Sequence, residues 1–302
     1  MTQTNHKKKP AWLSKKTNLA INREMKKSLR KYKIHTVCES ASCPNISDCF
    51  KRQTATFMIM GNTCTRACKF CGVKKGIPQK LDIKEPENIA EIINHLKIKY
   101  AVITTVTRDD LSDGGAEHFI NVIKKIKEKC GKDVLIEILT SDFYTKENYQ
   151  NKLKQTLENL FNERINVFGH NVETIPRLYP KLKARSDYNR SLQVLKKAKN
   201  LNKNNIVKTG IMVGLGETIE EVKKTIQDIK NTGCDILTIG QYLSPSKNHF
   251  PIFRYAQPEE FIYLKDFAYS LEFKAVEAGP YVRSSYKAKE SYETIIAKLS
   301  SK

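Results

Sequence analysis

The chain has 302 residues, 40% of them hydrophobic, and a formal net charge of +21. That length can hold one large core or two small ones, and no apolar run approaches the ~18–20 residues that cross a membrane. The positive excess suits nucleic acid, an acidic protein or an anionic surface, but most of it is lysine spread over helix faces, in a chain rich in Lys, Asn and Ile throughout.

The densest charge is at the start. Up to Lys33 there are eleven Lys/Arg against one acid, Glu24. This stretch reads as an arm lying over the core and a docking surface for something acidic. Residues 1–10 are polar and lysine-rich, without the apolar centre of a secretory signal. A cytoplasmic location with reduced thiols is therefore expected.

Six of the eight cysteines fall in two triplets. The first is Cys38-x₄-Cys43-x₅-Cys49, the second Cys64-x₃-Cys68-x₂-Cys71. In a reducing compartment such clusters point to metal or catalysis rather than disulfides. Zinc sites pair two ligands with two more some distance on; here ligands come in threes. A cubic 4Fe–4S cluster has four irons, so each triplet leaves one iron for another ligand. Cys130 and Cys234 stand alone beside glycines at expected helix ends, and read as inert buried thiols.

Beyond the cysteines, β-branched apolar runs alternate with helix-period segments. The runs are residues 56–60, 100–105, 134–139, 165–168, 207–213 and 236–239. One amphipathic stretch carries Phe119, Val122, Ile123 and Ile126 on a face. Another carries Ile219, Val222, Ile226 and Ile229 and opens with a capping box, Thr218-x-x-Glu221. This alternation predicts βαβ units and a parallel sheet, an α/β fold of the partial (β/α)6 TIM-type barrel class; a doubly wound open sheet is the alternative. The residues after each run are Gly-rich and polar: 61–64, 107–115, 140–142, 169–174, 214–218 and 240–245. One such loop is ordinary turn chemistry. Six of them, the first carrying a cysteine triplet, predict one site at the C-terminal rim.

The second triplet, Cys64-Thr65-Arg66-Ala67-Cys68-Lys69-Phe70-Cys71, follows the first strand and has an aromatic before its last cysteine. It resembles the radical S-adenosylmethionine (SAM) superfamily. The resemblance implies that Cys64, Cys68 and Cys71 hold a 4Fe–4S cluster whose fourth iron is chelated by SAM, and that reductive cleavage of SAM gives a 5′-deoxyadenosyl radical. Gly114 and Gly115 fall where that superfamily has a glycine-rich motif meeting the SAM amino group. Asn171, Glu173 and Arg190 are candidates for its ribose and carboxylate, and Gly214 and Gly216 for close approach to its adenine.

The first triplet, Cys38-Glu39-Ser40-Ala41-Ser42-Cys43-Pro44-Asn45-Ile46-Ser47-Asp48-Cys49, is similar to the auxiliary-cluster motif of lipoyl synthases. Residues 56–61, 108–115, 170–174, 212–218, 239–243 and Gly279-Pro280-Tyr281-Val282-Arg283-Ser284-Ser285-Tyr286 look like that family too. Ser40 and Ala278 depart from its usual residues, and neither is a proposed ligand. The resemblance implies insertion of two sulfurs, at C6 and C8, into an octanoyl chain held on a carrier-protein lysine. The auxiliary cluster, on Cys38, Cys43, Cys49 and Ser285 (Ser284 the alternative), is the sulfur donor, and no catalytic residue beyond the cluster ligands is implied.

Implied partners are octanoylated lipoyl carrier domains, the glycine-cleavage H protein, an electron donor and an iron–sulfur delivery protein, with no nucleic acid and no membrane span. Residues 1–50 are expected as an N-terminal extension carrying the auxiliary cysteines, 51–278 as the barrel, and 279–302 as a C-terminal extension with the serine ligand. Both extensions are expected to close the barrel mouth. A tRNA methylthiotransferase also pairs two such clusters, but spreads its auxiliary cysteines over a separate domain and usually ends in an RNA-binding β-barrel. An iron–sulfur carrier or sensor would not need six polar rim loops.

Overall fold

The structure, a computed structural model, describes residues 9–14, 18–41, 43–51, 55–131 and 133–300. Lys7, Lys8, Lys15 and Lys16 of the basic arm lie outside them. The chain forms two compact units. One comprises Lys16–Ala67 and Gly72–Phe168, the other Met1–Lys15, Cys68–Cys71 and Gly169–Lys302.

In the first unit, helix α1 (Leu19–Lys31) is followed by a short strand, β1 (His35–Thr36), and helices α2 (Val37–Ser40) and α3 (Ile46–Lys51). Strand β2 (Thr56–Ile59) is buried throughout. Next come β3 (Thr63–Cys64), β4 (Lys74–Lys75), α4 (Glu85–His95), β5 (Tyr100–Thr105), α5 (Ala116–Cys130), β6 (Leu135–Leu139), α6 (Tyr149–Asn162) and β7 (Val167–Gly169), whose last residue belongs to the other unit. Strand β2 pairs parallel with β5, and β5 with β6. The β1 strand pairs antiparallel with β2, Thr36 opposite Phe57. Such β-branched runs, buried on both faces, are what a parallel sheet covered by helices requires. Phe119, Val122, Ile123 and Ile126 of α5 are fully buried, as are Ile89, Ile92 and Ile93 of α4. The period of three and four puts each set on one helical face. Helix α1 is tied to α3: Ser47 Oγ accepts from the Asn18 N–H at 3.0 Å and donates to Asn22 Oδ1 at 3.1 Å. This part of the basic arm therefore packs on the helix that carries Cys49.

The second unit continues with α7 (Tyr179–Leu182), α8 (Tyr188–Leu201), β8 (Val207–Val213), α9 (Ile219–Lys230), β9 (Ile236–Gln241), α10 (Pro258–Ser270), β10 (Ala275–Gly279) and α11 (Ala288–Ser300). Strands β8, β9 and β10 pair in parallel. The capping box of α9 forms as the sequence predicts, with both reciprocal bonds between Thr218 and Glu221. Strand β10 extends the expected series. Its sequence, Ala-Val-Glu-Ala-Gly, has little β-branched character, so its strand state comes from pairing with β9 rather than from local preference.

Candidate functional site

The first triplet is gathered locally. The Cys43 N–H donates to the Cys38 carbonyl at 3.0 Å, the Ile46 N–H to the Cys43 carbonyl at 3.2 Å, and the Cys49 N–H to the Asn45 carbonyl at 2.9 Å. Burial pushes the Cys38 thiol up to about 12; hydrogen bonds from Thr56 oppose the rise, and the neighbouring Cys43 and Cys49 add to it. The three thiols are thus close enough for their charges to interact. A trio of this kind, with Cys38 buried and Cys43 and Cys49 half-buried, becomes a set of thiolates with a compensating cation, and soft sulfur donors suit iron–sulfur.

The placement differs from a closed mouth at one point. Because β1 runs antiparallel to β2, the chain leaving Thr36 heads toward the N-terminal end of β2, and Cys38 meets Thr56 there. Cys64 follows the C-terminal end of the same strand. The two therefore border opposite ends of β2, separated by on the order of 10 Å of extended chain.

The second triplet starts in the first unit. Cys64 sits in β3, paired with β4, and its carbonyl accepts from the Gly76 N–H at 3.0 Å. Its Sγ accepts from the Arg66 N–H at 3.4 Å. The Arg66 side chain, 5% exposed, is held by two carboxylates. Asp109 accepts at 2.7 and 2.9 Å, and Asp142 at 2.7 and 3.1 Å. Burial opposes its charge, yet the bonds to Asp109 and the charge of Asp142 prevail and raise the guanidinium above its ordinary range. Thr65 adds a bond to the Thr107 carbonyl at 3.0 Å and accepts the Asp109 N–H at 3.1 Å. The cluster loop is thereby fixed to the loops after β5 and β6.

Residues Cys68–Cys71 belong to the second unit. The Lys69 N–H donates to the Leu182 carbonyl at 2.8 Å, and the Lys69 carbonyl accepts from the Phe250 N–H at 2.9 Å. His249 Nε2 lies 3.1 Å from the Cys71 carbonyl, so that nitrogen carries the proton. Among the described residues, no three His, Cys, Asp or Glu side chains converge as a single metal ion requires. A cubane takes each thiolate on a separate iron, so triplets of cysteines outside any disulfide suit it better than they suit zinc.

Ahead of the cluster loop, Met60 has a positive φ of 65°. Its N–H donates to Glu85 Oε2 at 2.6 Å and the Gly61 N–H to Glu85 Oε1 at 3.3 Å, while His118 Nε2 stands 2.6 Å from the same carboxylate. Glu85 and His118 are both buried. The Met60 side chain fills the space where Gly115 lacks a Cβ, with Sδ 2.3 Å from that position. At Gly214, with φ of 98°, a Cβ would meet the Arg254 carbonyl oxygen at 2.6 Å. The Arg254 backbone thus requires glycine at position 214 independently of any ligand, whereas at Gly115 the crowding atoms are the end of the flexible Met60 side chain and the φ of 90° is what favours glycine.

The second unit brings Asn171 and Glu173 together. Asn171 Nδ2 donates to Ser284 Oγ at 2.7 Å, and the Asn171 carbonyl accepts from Lys183 Nζ at 2.9 Å. Glu173, at a φ of 74°, bonds through its backbone to Gly210 and Met212 of β8. The residue keeps some exposed surface, but burial among its neighbours raises its carboxyl pKa, opposed by the charge of Lys183 and a hydrogen bond from Asn171. Beside it, Thr174 Oγ1 is buried with no hydrogen-bond partner among the described residues. Arg190 lies in the first turn of α8, its guanidinium donating to the Arg185 carbonyl at 2.6 Å. Gly210 and Gly240 give the C-terminal segment its seat: a Cβ on Gly240 would meet the Val282 carbonyl oxygen at 2.2 Å, and one on Gly210 would lie 3.5 Å from Ser284 Oγ. Ser285 is half-buried.

Outside the triplets, Cys130 ends α5 and Cys234 precedes β9. Burial raises both thiols, consistent with inert packing. Sequence reasoning did not single out Arg66, Asp142, Glu85, His118, Lys183 or His249 as functional. Their partners are distant in sequence, and a lysine in so lysine-rich a chain carries no signal alone.

The family description "Radical SAM superfamily" matches residues 58–229. The lipoyl synthase of Caldicellulosiruptor saccharolyticus is 49% identical over 290 residues, covering 95% of this chain and 99% of the relative. That of Alkaliphilus metalliredigens is 44% identical over 290 residues, with 96% and 97% covered. Among solved structures, methylornithine synthase superposes with a TM-score of 0.55 at 14% identity, over 79% of this chain and 67% of the other. SuiB of Streptococcus suis bound to S-adenosylmethionine gives 0.56 at 12%, over 78% and 53%. These structural likenesses concern the fold, the α/β partial-barrel class expected from the sequence.

Proposed function

The chain belongs to the lipoyl synthase family of the radical SAM superfamily, and from that membership we propose how its residues divide the work of putting two sulfur atoms into an octanoyl chain. The enzyme uses SAM and a 4Fe–4S cluster to insert sulfur at C6 and C8 of a protein-bound octanoyl-lysine. When bound, that cluster supplies an electron to SAM, and the resulting radical chemistry activates unreactive C–H bonds.

Cys64, Cys68 and Cys71 are the residues proposed to hold this cluster. Arg66 presents its N–H to the Cys64 sulfur, which fixes that ligand and tunes its basicity. Gly114 and Gly115 are proposed to bring the backbone to the SAM amino group. Asn171, Glu173 and Arg190 take its ribose and carboxylate, and Gly214 and Gly216 border its adenine. The buried, unpartnered Thr174 hydroxyl supports a polar ligand at this place.

Cys38, Cys43, Cys49 and Ser285 are proposed to hold a second, auxiliary cluster as sulfur donor. Ser284 accepts a hydrogen bond from Asn171, and Ser285 is the ligand that the family resemblance implies. A hard alkoxide suits iron less well than thiolate does, so the serine corner is the one to open. Ser285→Cys is expected to keep the cluster and lose turnover; turnover at the wild-type rate would refute the role of the serine.

The reading is carried by one observation: Cys38 of the first triplet and Cys64 of the second border opposite ends of β2. The substrate arm is then held along that strand, between Cys38 and Cys64. Residues 1–50, 51–278 and 279–302 serve as extension, barrel and C-terminal ligand segment. The substrate is a lipoyl-domain protein, including the glycine-cleavage H protein, and separate proteins supply electrons and rebuild the auxiliary cluster. No described helix is long and apolar enough to cross a membrane, and a cytoplasmic location is proposed. Incubation with SAM, reductant and octanoylated carrier protein tests this reading. The expected result is a two-sulfur mass gain with 5′-deoxyadenosine; 5′-deoxyadenosine without carrier modification would overturn it.

A further inference from the structure

Residues 72–84 run from the cysteine loop to helix α4. Ile77 is 96% exposed and Ile83 90%, whereas the next most exposed large hydrophobic among the described residues, Ile262, reaches 61%. Single exposed apolar residues are ordinary on protein surfaces. Two almost bare isoleucines on one short strap are not, because each leaves nearly its whole apolar side chain in water. The strap is also basic. Lys74, Lys75, Lys80 and Lys84 stand against Asp82, a net of +3, and all five are exposed.

Both feet of the strap stand on the segment that leads into Cys64. At one end, Lys74 and Lys75 pair with Thr63 and Cys64, and the Gly76 N–H bonds the Cys64 carbonyl. At the other, the strap runs into Glu85, whose carboxylate accepts the Met60 and Gly61 N–H groups and meets His118. The Glu85 N–H and Lys84 N–H both bond Asp82, at 3.0 and 2.9 Å. The apolar and basic groups are therefore presented beside a cluster ligand, on a strap tied at each end. Whatever they hold is brought to the place where the radical is made.

We propose that residues 74–84 form the docking strap for the acidic carrier protein that presents the octanoyl-lysine, with Ile77 and Ile83 as apolar contacts and Lys74, Lys75 and Lys80 as electrostatic guides. The charge calls for an acidic partner surface, and the isoleucines call for an apolar spot within it. The inference rests on the sulfur-insertion reading above.

Two double variants test it, Ile77→Ser with Ile83→Ser and Lys74→Glu with Lys75→Glu. Steady-state kinetics is measured on an octanoylated lipoyl carrier domain and on a short octanoyl-lysine peptide, at equal iron content. The serine variant is expected to raise KM for the carrier at least tenfold, with kcat and KM for the peptide within twofold of wild type. The glutamate variant is expected to lower kcat/KM for the carrier and flatten its dependence on salt. A carrier KM unchanged in both variants overturns the proposal, as does equal loss on carrier and peptide. Loss of a self-associated form with unchanged carrier KM would assign the strap to a second copy of this chain, and also overturns it. Wild-type protein that modifies neither substrate would strike the sulfur-insertion reading itself; wild-type protein active on both, with indifferent variants, strikes the strap alone.

Discussion

Arg66 should be worth more to stability than any other single side chain of the cysteine loop. Arg66→Met keeps much of the stem and removes the charge, leaving Asp109 and Asp142 facing each other without their cation. Both contacts are buried, with side chains 4% exposed for Arg66, 15% for Asp109 and 2% for Asp142. Breaking a buried pair by removing one partner costs about 3–5 kcal/mol. A second route gives a similar ceiling. A stranded carboxylate can take up a proton, at about 1.4 kcal/mol per pH unit above an ordinary acid pKa near 3.9, or about 4 kcal/mol at pH 7. At pH 5 the same ceiling falls to about 1.5 kcal/mol. The sign follows from linkage: the folded variant then binds more protons than its unfolded chain, so its stability falls as pH rises. Urea unfolding of the cluster-free protein at pH 7 and pH 5 reads the gap from wild type. The expected gap is about 4 kcal/mol at pH 7, narrowing to about 1.5 at pH 5. A gap under about 1 kcal/mol at pH 7, or one that widens on acidification, would refute the reasoning. Arg66→Lys, which keeps the charge but not the fork, should recover only part of the loss.

Glu85→Ala strands the N–H groups of Met60 and Gly61, at roughly 1–3 kcal/mol each. Because that turn sets the cysteine loop, the variant should also raise KM for SAM and blunt the SAM-induced change in the EPR spectrum of the reduced cluster; Glu85→Gln, which keeps one acceptor, should restore part of both. Gly61→Ala, at a φ of 85° with nothing within 4 Å, should cost about 1–2 kcal/mol of unfolding free energy from φ alone. Gly214→Ala should cost about 1–3 kcal/mol more, because its methyl meets the Arg254 backbone. Glu173→Gln should stabilise the ligand-free protein at pH 7. The raised carboxyl pKa means that the fold holds a proton more readily than the unfolded chain, so wild-type stability falls as pH climbs above the ordinary 4.5, a slope that the glutamine variant should lose while its SAM affinity drops.

The strands and their loops were legible because burial on both faces leaves unbroken β-branched runs. Residues 100–105 and 207–213 form strands over those bounds, and Thr218 and Glu221 form the capping box that their spacing announces. Strand β10 was not legible, since Ala275 to Gly279 take their conformation from β9. Both cysteine triplets could be read from spacing alone. The places of Cys38 and Cys64 at opposite ends of β2 could not, because that follows from the antiparallel pairing of a two-residue strand, too short for any periodicity to mark. Arg66 stood in plain view between two cysteines, but its role depends on Asp109 and Asp142, 43 and 76 residues away. Gly214 has an internal reason as well, the Arg254 backbone, which no spacing reveals.

The sulfur source is the most direct point of attack. The auxiliary cluster proposed on Cys38, Cys43 and Cys49 can be tested by reconstituting the protein with isotopically heavy sulfide and putting it through a single turnover on an octanoylated carrier domain without free sulfide. Both sulfur atoms in the product should carry the heavy isotope, and Cys38→Ala protein should form 5′-deoxyadenosine but no sulfur-bearing product. Unlabelled sulfur in the product, or sulfur insertion by the Cys38→Ala protein, would contradict the assignment.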